Sequence, residues 1–110
     1  MSIEKAGVFI ETHVFTSFRK KNIEDDEFAH IQDALRERPE LGDVIQGTGG
    51  CRKARFAFGQ RGKSGGIRIV YFYVSADGII YLLHGYRKAD MENITDDEKV
   101  VLKKIVGSIK

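Results

Sequence analysis

A chain of 110 residues with one cysteine, one proline and no tryptophan lacks the raw material for several functional classes. A single thiol, Cys51, forms no intramolecular disulfide and builds no cysteine-based metal site. No apolar run approaches the roughly 20 residues that span a bilayer as a helix. The opening stretch MSIEKAGVFIETHVF carries Glu4 and Glu11 where a secretory signal would keep an unbroken apolar core. A cytoplasmic protein with no membrane partner is therefore expected. Repeats, low-complexity tracts and Pro/Ser-rich linkers are missing too. The length suits one domain over residues 1–110, with a single modest core.

Charge is ordinary in total and uneven in place. The formal net charge is +2, yet between Asp43 and Asp77 there is no acidic residue, while Arg52, Lys53, Arg55, Arg61, Lys63 and Arg68 are basic. That segment carries +6, and the remainder, with 12 basic against 16 acidic residues, carries −4. A basic middle inside an acidic shell, with aromatics interleaved, suggests a polyanionic ligand at one face. A solvated hairpin with scattered cations is the bland alternative.

Hydrophobic periodicity gives the order β-α-α-β-β-β-α. Gly7 to Ile10 reads as a strand and Thr12 to Lys21 as a helix with Val14, Phe15 and Phe18 on one side. A second helix, capped by Asp25 or Asp26, repeats Phe28, Ile31, Ala34 and Leu35 at helical spacing until Pro39 stops it. The glycine-rich connection from Leu41 to Gly50 leads into period-two segments at Cys51–Phe58, Ile67–Val74 and Ile79–His84. A flexible turn over 59–66 separates the first two, and an Ala76-Asp77-Gly78 turn joins the last two. Thr95-Asp-Asp-Glu98 is a capping box before a final amphipathic helix. The expected fold is α+β: an antiparallel sheet, made of the three-stranded meander plus the N-terminal strand, packed on helices at one face.

Strand alternation puts Lys53 and Arg55 on one face with Arg52 turned away, and Arg68 with Val70 and Phe72 opposite Tyr71 and Tyr73. Adjacent strands can bring Lys53, Arg55 and Arg68 together, depending on a register that the long turn conceals. Arginine grips phosphate oxygens and stays charged, whereas lysine becomes a general base when its proton is displaced. Phosphate binding without catalysis fits the same spacing. Gly62-Lys63-Ser64 imitates the end of a phosphate-binding loop, but Ala57 occupies the position of that motif's first glycine, and nucleotide binding is set aside. His13, His30 and His84 lie on separate elements without ligand spacing, so no metal site is expected. His84, at a strand end, is a minor candidate base. Phe15, Phe18 and Phe28 are assigned to the core.

The run from Leu41 to Gly50, then Arg52-Lys53 and Arg55, Arg61 to Gly66, Arg68 to Tyr71, Tyr81-Leu-Leu83 and Tyr86-Arg-Lys88, resembles the pattern of RelE-like toxins of the HigB branch over residues 41–106. The resemblance implies a RelE-like microbial-RNase fold and a type II toxin–antitoxin system. It also implies a metal- and cofactor-independent endoribonuclease that cuts mRNA in the ribosomal A site, inhibiting translation and growth. The implied partners are a helix-turn-helix antitoxin from the adjacent gene, the ribosome with its mRNA, and operator DNA only through the antitoxin. Matched position by position, the catalytic residues are Lys53, Arg55, Arg68 and Lys88. RNA contacts fall to Arg52, Arg61, Lys63, Tyr71, Tyr86 and Arg87. Some relatives place an arginine directly after the last lysine and a tyrosine six residues further on. Ala89 and Thr95 stand there in this chain, so a stacking tyrosine has to come from elsewhere. A non-catalytic nucleic-acid-binding regulator, a pure interaction domain and a gyrase-directed, ParE-like toxin are the competing readings.

Overall fold

A computed structural model describes residues 7–58, 66–91 and 93–110. In chain order the elements are β1 (Val8–Glu11), α1 (His13–Asn22), α2 (Asp25–Glu37), β2 (Asp43–Val44), β3 (Arg52–Phe56), β4 (Ile67–Val74), β5 (Ile79–Arg87) and α3 (Asp96–Ile109). They form a five-stranded sheet in the order β1-β5-β4-β3-β2, antiparallel throughout except for the parallel pair β1 and β5. The α+β class and the central meander agree with the sequence reading, and three details differ. The N-terminal strand runs parallel, because it adds to the outer edge of β5, with Gly7 and Val8 N–H donating to Gly78 O at 2.7 and 3.2 Å. A two-residue strand, β2, too short to show periodicity, joins the other edge. Helices cover both faces rather than one.

The reason for two-sided cover lies in β4. Ile67 to Phe72 is buried on both sides of the strand and apolar but for Arg68, and a nearly continuous apolar run is what such a strand requires. Ile67, Ile69 and Tyr71 face α1 and α2, where they join Phe15, Ile31 and Leu35. Val70 and Phe72 face α3 and join Leu102, Val106, Leu83 and Cys51. Phe18 and Phe28 pack at the margin of the first cluster, as the sequence suggested.

The helices start where their caps permit. Thr12 caps α1, its hydroxyl accepting from Phe15 N–H at 3.1 Å and donating to Leu83 O at 2.7 Å across the sheet. Glu24, not Asp25 or Asp26, occupies the cap of α2, and those aspartates fill its first turn against the positive end of the helix dipole. The Thr95–Glu98 capping box opens α3 as expected. Strand β5 runs on to Arg87, past the boundary the sequence suggested, through a bulge that sets Val70 opposite His84 and Tyr71 opposite Leu82. Helix α1 lies so close to β5 that a Cβ on Gly85 would sit 2.4 Å from the Phe18 ring, which fixes glycine there.

Candidate active site

The register decides which charges meet. Arg55 stands directly across from Arg68, and Arg68 across from Tyr86, so one row crosses β3, β4 and β5. The next row runs Asp43, Lys53, Val70, His84. Both rows lie on the face covered by α3, where Val70, His84 and Tyr86 pack beneath the helix and Lys53, Arg55 and Arg68 line an open hollow. Lys88 follows directly after β5, its backbone N–H donating to Gly66 O at 3.0 Å. The result is an open groove of about 240 Å³ lined by Asp43, Lys53, Arg55, Arg68, Lys88 and Asn93. All four residues assigned to catalysis from the sequence line it.

The groove's charge is unusual for a folded surface. Like charges placed directly across a strand pair are destabilising, yet Arg55 and Arg68 occupy such a pair, with Arg68 only 6% exposed. A cationic hollow of this composition matches a phosphate with its non-bridging oxygens. The N-terminus of α3 does not add to it, because Asp96, Asp97 and Glu98 already fill the first turn. Lys53 Nζ donates to Asn93 Oδ1 at 3.2 Å across the mouth of the groove. Among the described residues, no group of three or more His, Cys, Asp or Glu gathers in a way that could hold a metal ion.

A model of the RelE toxin of RelE/RelB toxin–antitoxin systems matches residues 7–110. The chain belongs to the RelE toxin family. Its fold is also similar to that of an arginine-substituted mutant of the E. coli toxin RelE in the free state. That structure matches with a TM-score of 0.57 and 14% identity, covering 79% of this chain and 88% of that one. No helix among the described residues is long and apolar enough to cross a membrane.

Several expected RNA contacts of this RelE-family chain sit elsewhere. Arg52 lies on the opposite face, as alternation implied, and its guanidinium donates to Gly42 O at 2.8 Å and Glu40 O at 3.4 Å. Tyr71 is fully buried in the core. Its hydroxyl accepts from Gly42 N–H at 2.9 Å and donates to Pro39 O at 2.8 Å, and burial raises its pKa, so it is a structural tyrosine with no face to offer a base. Arg87 pairs across from Ile67 on that same far side and makes a two-point ion pair with Asp90 at 2.8 and 3.0 Å. Tyr86 does share the face of Arg68, but it is only 4% exposed and packs with Ile94 and Leu102. Burial pushes its phenol pKa up against the lowering influence of Arg68. In this arrangement it cannot stack on RNA. Arg61 and Lys63 lie outside the described residues.

His84 belongs to the second row but points under α3. Its Nε2 is 3.6 Å from Glu98 Oε2. Burial holds its pKa below the ordinary imidazole value, with Glu98 pulling the other way. Two residues of the groove were not singled out in the sequence. Asp43 only marked the edge of the acid-free segment, and Asn93 sits in the connection between β5 and α3. Neither carries a local signal, because each reaches the site only through pairing or contact with Lys53.

Proposed function

We propose that the chain is the toxin of a type II toxin–antitoxin system, of the HigB branch, and that it cleaves mRNA in the ribosomal A site. The observation that carries this reading is the convergence of Lys53, Arg55, Arg68 and Lys88 on one groove. RNA cleavage by the 2′-hydroxyl passes through a dianionic phosphorane, and fixed cations aimed at that charge are the largest single source of rate in such reactions. Arg55 and Arg68 hold the non-bridging oxygens, while Lys53 and Lys88 flank them. With charge stabilisation supplied by side chains, no cofactor is needed. The groove is open enough for a strand and offers few aromatic faces, so mRNA is positioned by the ribosome and the toxin adds the chemistry. The partner in the resting state is a helix-turn-helix antitoxin from the adjacent gene, through which alone the toxin meets operator DNA, and the compartment is the cytoplasm.

The test is tightly induced expression in bacteria, wild type beside Arg68→Ala and Lys53→Ala, with growth and primer extension on a translated mRNA. Arrest by wild type with new 5′ ends inside codons is the expected result, along with a loss of cleavage on the order of 10²–10³ for Arg68→Ala. Arrest with intact mRNA would replace this reading with a gyrase-directed toxin. Absence of arrest from folded protein would leave a non-catalytic nucleic-acid-binding regulator.

A further inference from the structure

Asp43 is the one carboxylate lining the basic groove among the described residues, and nothing in the proposed function uses it. An acid in a phosphate-binding hollow weakens binding by repulsion, so its place calls for another reason. Its position is also unusually well fixed for a two-residue strand. Gly42, immediately before it, donates its N–H to the buried Tyr71 hydroxyl at 2.9 Å, and its carbonyl accepts from the Arg52 guanidinium at 2.8 Å. Gly42 also lies so close to β3 that a Cβ would stand 2.8 Å from the Lys53 carbonyl. On the other side, Ile45 N–H donates to Cys51 O at 2.8 Å. These contacts hold Asp43 across from Lys53 on the groove side.

The Asp43 side chain is exposed and makes no hydrogen bond or ion pair among the described residues, whereas Lys53 Nζ is engaged as a donor to Asn93. A carboxylate offers lone pairs to an incoming proton, whereas an ammonium is a donor only. We propose that Asp43 is the general base of the cleavage, and that Lys53, steered by Asn93, serves as a fixed positive charge. The assignment rests on the nuclease reading above. The Asp43 carboxylate takes the proton of the 2′-hydroxyl, and the 2′-oxygen bonds to phosphorus. The bond from phosphorus to the 5′-oxygen breaks, and that oxygen takes a proton from the Lys88 ammonium. The products are a 2′,3′-cyclic phosphate and a 5′-hydroxyl. Asp43 then gives its proton to water and Lys88 regains one.

The experiment is single-turnover cleavage of a translated mRNA on purified ribosomes, comparing wild type, Asp43→Asn, Lys53→Arg and Lys53→Ala, each with a melting curve. Asp43→Asn is expected to lower the cleavage rate about a hundredfold while leaving half-saturation unchanged or lower, since a negative charge leaves the groove. Lys53→Arg, which keeps the charge but cannot accept a proton, is expected to stay within about tenfold of wild type. An acid that only shaped the surface would give the reverse for Asp43→Asn: tighter binding and undiminished cleavage. That result overturns the assignment, as does a Lys53→Arg protein as inactive as Lys53→Ala. Wild-type protein that arrests growth but leaves mRNA whole in this assay overturns the nuclease reading and the assignment with it.

Discussion

On the side of the sheet covered by α1 and α2, every inward residue of β4 from Ile67 to Tyr71 is part of a closed apolar cluster with Phe15, Ile31 and Leu35. On the side covered by α3, Val70 and Phe72 are equally buried, but the row before them holds Arg68 facing Arg55. One strand therefore serves as core on both faces over most of its length and lines the basic groove on one face at its start. The difference follows from cover. Two helices span the first face, while α3 alone lies on the second and begins only at Asp96. Charge accumulates where apolar cover ends, with Arg55 exposed there and Arg68 buried beside it.

The sharpest way to break this comparison is Phe15→Ala. Phe15 is wholly buried in the first cluster, and its truncation should destabilise the protein by about 3–5 kcal/mol. Urea unfolding measures it. Activity should fall only as far as the folded fraction does, in contrast to Arg68→Ala, where cleavage falls and the midpoint changes far less. Tyr71→Phe comes next and blurs the boundary between the faces. It leaves Gly42 N–H and Pro39 O without their buried partner, a loss of about 1–3 kcal/mol. Because Gly42 anchors Asp43, cleavage should drop beyond the change in stability. A Tyr71→Phe protein with normal melting would show that the hydroxyl's bonds contribute nothing to the core.

Thr95→Ala probes the second face alone. It removes the hydroxyl that accepts from Glu98 N–H at 3.1 Å, and a lost cap costs about 1 kcal/mol. Thermal melts should show it, with the apolar cluster under α1 and α2 unaffected in near-ultraviolet spectra. The smallest effect is that of pH through His84. Its folded-state pKa lies below the ordinary 6.5, chiefly through burial, so as pH falls the unfolded chain takes up the proton first. The stability contributed by neutral His84 is complete above that value and declines as pH drops through and below it. The difference between melting midpoints at pH 7.5 and 5.5 (buffer values of roughly this spacing bracket the imidazole range) should shrink in His84→Leu. An unchanged difference would assign the pH dependence to other groups.

Local features of the sequence were enough for the meander, the Asp77-Gly78 turn and the Thr95 capping box, because each is written within a few neighbouring residues. Alternation likewise put Lys53, Arg55 and Arg68 on consistent faces, and the register then brought them together. Long-range features were hidden. The Tyr71 hydroxyl finds partners 29 and 32 residues away, and nothing near Tyr71 distinguishes it from a tyrosine that faces solvent. Lys53 and Asn93 are 40 residues apart. The β5 bulge at Leu83 carried the strand past His84, so Tyr86, expected at a loop where it could stack, instead lies beneath Ile94 and Leu102. The parallel placement of β1 was equally unreadable, since its four residues would pair with any open edge.

That first strand also fixes a schedule. Val8 to Glu11 pair with Ile79 to Leu82, and Thr12 reaches Leu83 across 71 residues. The first described strand to leave a ribosome thus waits for the last, and contacts this distant in sequence form slowly. Until β5 is made, α1 lacks the strand it packs on most closely and the groove has no Lys88. The groove is therefore complete only once Lys88 and Asn93, in the last quarter of the chain, have been made.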